Sequence, residues 1–376
     1  MYNAFLERTK EAISALRRHI HASDRFRTAV FEQTLRCAAA SPCFDPELGS
    51  IEAVPNRIEW RIIDHCAAVT RIYSIYEQFA HEMIREHLSL LQGRLAFDEL
   101  PEKIRSSYRG GVAKILEKIG GPRFAALDVS QIIAGYHDAL SGKPYAIEPQ
   151  AMLMQEQNLR LPELERFMRA CGIDDVSGWV EAHPAVEAFF ATGGRLNATA
   201  ATEMAALIGY RNDAAHGSID IGDILHINVL TEFCDFIGAV CEALAERVQL
   251  AGLRSLQPHG HVLERGKITE SLKGGAVAIG EISGAVGVGN TVYLCGENYC
   301  LERIVTSLQV EGKQFENVDL GVPTEVGLMF DGAFKKNGKV LMLEPLAVPL
   351  PESSDSSGEG RSDQPAHLQP GSVTEK

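Results

Sequence analysis

The sequence predicts an all-α helical bundle, then a small all-β barrel, then a disordered C-terminal tail. Through the first two thirds of the chain, apolar residues recur every three or four positions, the period of a helix with one buried face. From His261 the pattern changes to short apolar runs separated by glycine, which is typical of strands. Beyond Pro349 the composition is mostly Pro, Ser, Gly, Asp and Glu, which cannot form a core. We therefore expect a helical domain over 1–255, a barrel over 261–345 and a disordered tail over 349–376.

Long helices dominate the predicted bundle. Over residues 55–94 a continuous buried stripe is expected from Ile58, Ile62, Cys66, Val69, Tyr73, Tyr76, Ala80, Met83 and His87. Residues 220–253 repeat the same period, and Asp220 or Asp223 is the expected N-cap of that helix. Residues 197–208, with Asn197 as the expected N-cap, supply the helix before it. The intervening chain is less regular, with helices expected over 101–119, 129–140 and 161–171.

The most informative segment lies between the last two predicted bundle helices, and it reads Arg211-Asn212-Asp213-Ala214-Ala215-His216, closed by Gly217. Histidine titrates near neutral pH, so it can both accept and return a proton. Arginine presents a planar set of donors that matches phosphate oxygens. On a helix, Asn212 and His216 share a face, and the long side chain of Arg211 can partly close its angular distance from His216. These residue types suit an RNA phosphodiester.

A structural interpretation of the same segment stays open. Arg211 can cap a helix end or pair with a nearby carboxylate, and His216 can be a histidine satisfied at an interface. An arginine followed five positions later by a histidine also occurs often by chance. The surrounding long helices favour the functional interpretation.

With these residues, the chain resembles the HEPN domain family, and within it the bacterial RiboL-PSP or MAE-type group. Arg211, Asn212 and His216 match the family motif, and the stretch from Glu59 to Phe79 resembles the helix that carries Tyr73 and Tyr76 in that group. The resemblance covers about residues 1–255. It implies a metal-independent endoribonuclease, often a toxin or antiphage effector, with an active site composed across a homodimer. Some members of the family are inactive scaffolds.

The resemblance also implies a mechanism and assigns residue roles. His216 would take the proton of a ribose 2′-hydroxyl, Arg211 would stabilise the charge on the phosphorane, and Asn212 would hold the phosphate or orient His216. The products would carry 2′,3′-cyclic phosphate and 5′-hydroxyl ends. Glu77 is a weaker supporting candidate that would orient His216 or pair with Arg211. No cofactor is expected.

The predicted barrel has six strands, over 266–271, 276–282, 291–295, 303–310, 324–330 and 339–343. The order of its strands and glycine-containing turns resembles that of the second-domain barrel of translational GTPases. This resemblance is confined to residues 261–345. The sequence has no Gly-x-x-x-x-Gly-Lys-Ser/Thr loop, so the GTPase itself is not expected. The resemblance implies recognition of RNA such as tRNA or a ribosome-associated RNA, and docking of a regulatory protein is equally open.

Composition limits the cellular setting and the partners. The net charge of −14 argues against general coating of nucleic acid. A local basic strip that contacts a nucleic-acid backbone stays open for Arg17, Arg18, Arg25 and Arg27, and so does a solvated helix face. The eight cysteines form no Cys-x-x-Cys pair, so no metal site is expected. Cys295 and Cys300 flank a turn and could approach each other. With no apparent leader and no long apolar run, we expect a cytoplasmic protein that does not bind membranes.

Three functional hypotheses follow. The first is a homodimeric ribonuclease of the toxin or antiviral kind, with an antitoxin or another regulatory protein as a candidate partner. The second is a non-catalytic scaffold whose helical bundle binds RNA or a protein partner. The third is a HEPN subunit that a partner enzyme modifies by nucleotide transfer to Tyr210, which precedes Arg211. His65 is expected to be a hydrogen-bonded histidine of the core or an interface rather than a catalyst, and His137 and His183 are expected at the surface.

Overall fold

The computed structural model of the protein describes residues 2–32, 55–119, 121, 124, 126–154, 157–192, 198–217, 219–272 and 275–345. The expected tail over 349–376 and the expected N-cap Asn197 lie outside these residues. Among the described residues, helices are the regular elements up to Leu256, and strands follow from Val262 to Leu343. An all-α region followed by a β-barrel is therefore confirmed. None of the helices in the described ranges is both long enough and apolar enough to cross a bilayer.

Ten α-helices are present among the described residues. Their bounds are α1 Asn3–Phe31, α2 Arg57–Gln92, α3 Glu102–Glu117, α4 Val129–Leu140, α5 Pro149–Met152, α6 Leu161–Ala170, α7 Val176–Glu181, α8 Pro184–Thr192, α9 Ala200–His216 and α10 Ile227–Leu256. The helices expected over 101–119, 129–140 and 161–171 are confirmed as α3, α4 and α6. The short helices α5, α7 and α8 were not expected, because four to nine residues carry too few turns to show a period.

Helix α2 is the central element of the bundle. Asn56 caps its first turn by accepting hydrogen bonds from the backbone of Ile58 and Glu59, and the Glu59 carboxylate accepts one from the Asn56 backbone. The expected stripe is buried from Val69 onward. Ile58 is 47% exposed, so the first turns of the stripe were assigned wrongly to the core. There α2 packs on α1 through a different face, where the Trp60 ring meets Phe26 and Phe31 edge-on.

The ends of α9 and α10 differ from the expected bounds. Helix α9 does not stop near Ile208 but continues to His216, since Gly217 is the first residue that adopts a left-handed conformation (φ 69°). Helix α10 begins at Ile227 with His226 as its N-cap, seven residues later than expected. Asp220 and Asp223 instead close a separate 3₁₀ turn. The motif therefore lies within the last turns of a helix rather than in a junction after it.

Ion pairs tie α1 to its neighbours. Arg27 is buried and pairs with Asp24 and Asp64, and Arg17 pairs with Asp235 on α10. Two of the four arginines of the interpreted basic strip are therefore engaged in ion pairs within the chain, Arg27 in the interior and Arg17 at the surface. His183 was expected at the surface, yet it is 2% exposed and lies 3.4 Å from the carboxylate of Glu246. The unexpected helices α7 and α8, which flank it, explain that difference.

The strands are β1 Val262–Leu272, β2 Val277–Gly287, β3 Thr291–Cys295, β4 Cys300–Val310, β5 Lys313–Phe315, β6 Asn317–Phe330 and β7 Lys339–Leu343. All pairings are antiparallel, in the order β3-β7-β1-β2-β6-β4-β5, and β3 also pairs with β4. That last pairing closes six strands into a barrel, which confirms the expected six-stranded barrel. Strand β5 and the first half of β6 were missed, because residues 313–323 carry few buried side chains.

The barrel packs directly against α10. Gln249 donates from its amide to the carbonyl of Cys300 (2.9 Å), and Glu246 accepts from the Cys300 backbone N–H (2.7 Å). The helical core continues through Val262, Tyr293 and Leu341. Residues up to Glu344 form one compact unit. The thiols of Cys295 and Cys300 lie 3.1 Å apart, on directly paired residues, and both are free.

Candidate active site around Arg211

Helix α9 positions the motif residues. Thr199 caps its start by accepting from the backbone of Thr202, and the Glu181 carboxylate accepts from the backbone of Ala200 and Ala201. Met204, Leu207 and Ile208 are fully buried, and α9 packs against α2. This buried face fixes the rotation of the helix, so that Arg211 and Asn212 lie half-buried at its edge and His216 lies exposed at its end.

The Arg211 guanidinium is held by two amide side chains. Its Nη1 donates to Oδ1 of Asn158 (3.2 Å) and to Oδ1 of Asn212 (3.1 Å). Nδ2 of Asn158 also donates to Oδ1 of Asn212 (3.0 Å), which closes the triangle. The guanidinium carbon lies 4.9 Å from the centre of the Tyr73 ring, within the range of a cation–π contact. We call Arg211, Asn212, Asn158 and Tyr73 the Arg211 clamp.

The far side of the clamp is anchored to α2. The buried Tyr73 hydroxyl accepts from the backbone N–H of Leu159 and donates to the carboxylate of Glu77, both at 3.0 Å. Tyr76 donates to the carbonyl of Leu159 (2.9 Å). Burial raises the pKa of Tyr73 above its ordinary value, so its hydroxyl stays protonated at neutral pH. The two tyrosines thus hold the residue after Asn158 in place.

The structure brings only part of the expected site into direct contact. The side chains of Arg211 and Asn212 are hydrogen-bonded to each other. Glu77 accepts a hydrogen bond from the Tyr73 hydroxyl and so supports the clamp through Tyr73. Asn212 and His216 are four residues apart on α9 and share a face, as expected for a helix. His216 makes no side-chain hydrogen bond to any described residue, so its imidazole faces solvent.

Tyr210 points into the bundle rather than toward the clamp. Its ring packs edge-on against His65 (6.3 Å between ring centres) and at a tilt against Phe233 (6.1 Å). His65 is 1% exposed and accepts at Nδ1 from the backbone of Leu225, so the expected core position of His65 is confirmed. Burial lowers the pKa of His65. Tyr210 therefore presents only a partly buried side chain beside the motif.

Sequence reasoning missed Asn158 and gave Tyr73 only a core role. Asn158 lies 53 residues before Arg211, in an irregular segment with no periodic pattern. The one available signal was a pair of amides, Gln157 and Asn158, immediately before a buried leucine. Such pairs are common in loops, so the signal alone carries little weight.

The clamp leaves part of the guanidinium available for an anion. Nη1 is committed to two oxygens, while Nη2 makes no hydrogen bond to a described residue. A preset arginine edge can bind a phosphate, and an exposed imidazole at the end of the same helix can transfer a proton. Among the residues that the structure describes, no group of three or more His, Cys, Asp or Glu side chains could hold a metal ion.

Comparisons with known proteins identify the family of the chain. No curated protein matches the chain. Among solved structures, the C-terminal domain of a Geobacillus thermoleovorans putative U32 peptidase matches 22% of this chain and 92% of its own, at 12% identity and a TM-score of 0.20, which carries no argument about function. The family model described as RiboL-PSP-HEPN matches residues 48–249, more than half of the chain and the whole Arg211 clamp. The chain belongs to the RiboL-PSP-HEPN family.

Proposed function

We propose that the protein is a metal-independent endoribonuclease whose catalytic groups are Arg211 and His216. The observation that supports this most is the Arg211 clamp, which holds a guanidinium at a fixed place on the helix that ends in an exposed imidazole. Half-buried arginines elsewhere in the fold, such as Arg85, pair with a carboxylate. Arg211 is held by neutral amides instead, so its positive charge stays uncompensated by the side chains that position it.

In the proposed reaction the 2′-hydroxyl of the substrate is the nucleophile. The imidazole of His216 takes its proton as the oxygen attacks the adjacent phosphorus, and the bond to the 5′-oxygen of the next nucleotide breaks. Arg211 stabilises the charge that gathers on the phosphorane oxygens. The products are a 2′,3′-cyclic phosphate and a 5′-hydroxyl. A second proton-transfer group, from the motif of a second copy of the chain, would protonate the leaving oxygen.

Asn212 would connect the two catalytic groups. Its Oδ1 accepts from Arg211 and Asn158, and its position four residues before His216 puts it on the same helix face. Its role in the proposal is positional: it fixes the guanidinium relative to the end of the helix. In the cell, an activity of this kind would suit a toxin or an antiphage effector under the control of a partner protein.

The proposal is tested by incubating purified wild-type protein with tRNA in the presence of EDTA. We expect cleavage by wild type and losses of at least about 100-fold in the His216→Ala and Arg211→Ala variants. Equal cleavage by His216→Ala and wild type would overturn the mechanism. RNA binding by wild type without cyclic phosphate ends would instead support the scaffold hypothesis.

The nucleotide-transfer hypothesis has its own test. The packing of Tyr210 on His65 and Phe233 disfavours it, since a nucleotide acceptor must expose its hydroxyl to a partner enzyme. Mass spectrometry of protein purified from its native host would reveal an added nucleotide on Tyr210. An unmodified Tyr210 in active protein would exclude this alternative.

A further inference from the structure

We propose that Cys295 and Cys300 form a disulfide bond when the protein is exposed to a low-molecular-weight disulfide, and that this bond stabilises the contact between the barrel and α10. The two residues lie at the turn end of the β3–β4 hairpin, five positions apart, and are directly paired between the strands. Both thiols are free, and their Sγ atoms lie 3.1 Å apart. Formation of the bond does not depend on the proposed cleavage of RNA.

The backbone of the hairpin places the pair at a separation that a disulfide can span. The Gly296 N–H donates to the Tyr299 carbonyl (2.9 Å), and the Cys300 N–H donates to Glu246 rather than across the ladder. Since hydrogen-bonded and non-hydrogen-bonded pairs alternate along antiparallel strands, Cys295 and Cys300 form a non-hydrogen-bonded pair. The Cα atoms of such a pair lie about 4.5 Å apart, within the range of about 4.4 to 6.8 Å found for disulfides.

Helix α10 fixes one of the two sulfurs. Gln249 donates from Nε2 to the carbonyl (2.9 Å) and to Sγ (3.5 Å) of Cys300, and Glu246 accepts from its backbone N–H (2.7 Å). Cys300 therefore has a fixed backbone and a sulfur that already lies beside that of Cys295. A covalent bond between the sulfurs would tie β3, as well as β4, to the residue that α10 holds.

The bond forms by two exchange reactions with a small disulfide such as glutathione disulfide. One protein thiolate attacks a sulfur of the small disulfide, which gives a mixed disulfide and releases one small thiolate. The second protein thiolate then attacks the protein sulfur of the mixed disulfide and releases the other small thiolate. The two protein thiols are oxidised, the small disulfide is reduced, and the two protons end on the released thiols.

Tyr299 controls access to the pair. Cys295 is 5% exposed and Cys300 is 1% exposed, so the small disulfide must enter through a local opening of the turn. The Tyr299 ring lies so close to Gly296 that a methyl group added there would collide with it. The Tyr299 hydroxyl donates to the carbonyl of Lys336 (3.2 Å), which ties the turn to the segment before β7. Exchange is therefore slow in both directions, and the bond persists once formed.

Peptide mapping of the full-length protein after incubation with glutathione disulfide tests the bond. Trypsin places both cysteines in one peptide, residues 274–303. After acid quenching, denaturation and alkylation, this peptide from oxidised wild type should carry no alkyl group and be two hydrogens lighter than the unalkylated reduced peptide. The same peptide from protein kept in dithiothreitol should carry two alkyl groups. Two alkyl groups in the oxidised sample, or attached glutathione in place of the bridge, would overturn the proposal.

Urea denaturation of oxidised and reduced protein tests the stabilising role. Oxidised wild type should unfold at a higher urea concentration than reduced wild type, because the bond restricts the unfolded chain. Cys295→Ser should have the same midpoint in both conditions, whereas Cys66→Ser, at a half-buried cysteine of α2, should respond like wild type. The wild-type comparison needs no variant, so it decides the question even where a serine weakens the fold. Equal midpoints for oxidised and reduced wild type would contradict stabilisation by the bond.

The rate of bridge formation tests the route of access. Tyr299→Ala removes the ring that lies on Gly296 and should speed bridge formation several-fold. Glu297→Ala, at an exposed residue of the same turn, is the matched control and should react at the wild-type rate. Circular dichroism of both variants identifies any change of rate that reflects loss of fold. Equal rates in the two folded variants would contradict entry through the turn.

Discussion

Asn158 fixes the guanidinium of Arg211, because its amide hydrogen-bonds to both Arg211 and Asn212. The next residue, Leu159, is held by hydrogen bonds from its backbone to Tyr73 and Tyr76. Substituting Asn158→Ala removes both bonds and leaves the guanidinium held only by Asn212 and the Tyr73 ring within the clamp. We expect RNA cleavage to fall between about 10-fold and 100-fold, as for other small displacements of a catalytic group. The initial cleavage rate with EDTA present measures this effect, and Asn228→Ala, at an exposed asparagine, is the matched control. An unchanged rate in Asn158→Ala would remove the clamp from the mechanism.

The Tyr73 hydroxyl and the Tyr73 ring have separable roles. Tyr73→Phe keeps the ring beside Arg211 but leaves the buried N–H of Leu159 without its acceptor. The free energy of unfolding should fall by about 1 to 3 kcal/mol, while cleavage falls less than in Asn158→Ala. Urea denaturation measures the first quantity. Tyr136→Phe is the control, since the Tyr136 hydroxyl makes no hydrogen bond to a described residue; an equal loss in both variants would contradict the assigned role.

At this scale, the sequence could predict only what lies on one helix. Arg211, Asn212 and His216 all lie on α9, so the face that Asn212 and His216 share and the offset of Arg211 follow from the helical period. Asn158 and Tyr73 reach Arg211 only through the packing of α2, α9 and an irregular segment. No local pattern encodes such contacts, because they depend on how three separate parts of the chain are brought together.

Helix α9 offers two glycines with opposite expected effects. Gly209 lies within the helix and Gly217 just beyond its end with φ 69°, and a methyl group added at either would meet open space. Gly209→Ala should raise the free energy of unfolding by about 1 kcal/mol, because alanine is the better helix former. Gly217→Ala should lower it by about 1 kcal/mol, because a side chain is strained in that left-handed conformation.

Chemical denaturation of both glycine variants measures these changes. Gly217→Ala should also lower the cleavage rate, since fraying of the last turn displaces His216. Because both substitutions add the same methyl group, each serves as the control for the other. Stabilisation by Gly217→Ala would contradict the assigned end of α9.

The buried histidines of α2 make the fold sensitive to acid. Burial lowers the pKa of His87 from its usual 6.5 to about 4, and lowers that of His65 as well. Below pH 6.5 these histidines bind protons in the unfolded chain but not in the folded chain. The stability that comes from their neutral state is therefore complete above pH 6.5 and is lost as pH falls toward 4. From His87 alone the free energy of unfolding should fall by about 3 kcal/mol across that window.

Denaturation at a series of pH values tests this expectation. His87→Leu should flatten the pH dependence between 6.5 and 4, because the titrating group is gone. His137→Leu, at an exposed histidine, should leave the dependence as in wild type. A wild-type stability that does not change with pH across the window would contradict the buried, neutral state of His87.

The presence of a helix or strand was easier to predict than the residues at which it begins and ends. The stripe of α2 and the apolar period of α10 are long enough to identify both helices, whereas α10 begins seven residues later than the expected Asp220. Acidic residues before an apolar run are common N-caps in general. Here the Asp223 carboxylate instead accepts a hydrogen bond from the Asp220 backbone N–H in a 3₁₀ turn. The short strand β5 has no alternating burial, since all three of its residues are exposed.

At the scale of the whole molecule, one face of the barrel packs on the helical core, while the barrel interior forms an apolar cluster of its own. Val262, Tyr293 and Leu341 belong to the same apolar cluster as α2 and α10, and the Gln249 and Glu246 contacts to Cys300 bridge the two regions. The change of period at His261 predicted where helices give way to strands. It could not predict that the barrel packs on α10, because that contact joins residues about 50 positions apart.

The central claim is that Arg211 and His216 cleave RNA through its own 2′-hydroxyl. The most direct test uses a short RNA that wild type cuts at one linkage in EDTA, and the same RNA with a single 2′-deoxy nucleotide on the 5′ side of that linkage. We predict 2′,3′-cyclic phosphate ends from the first RNA, no cleavage at the substituted linkage of the second, and no cleavage of either by His216→Ala. Cleavage of the 2′-deoxy linkage, or ends without the cyclic phosphate, would contradict the account.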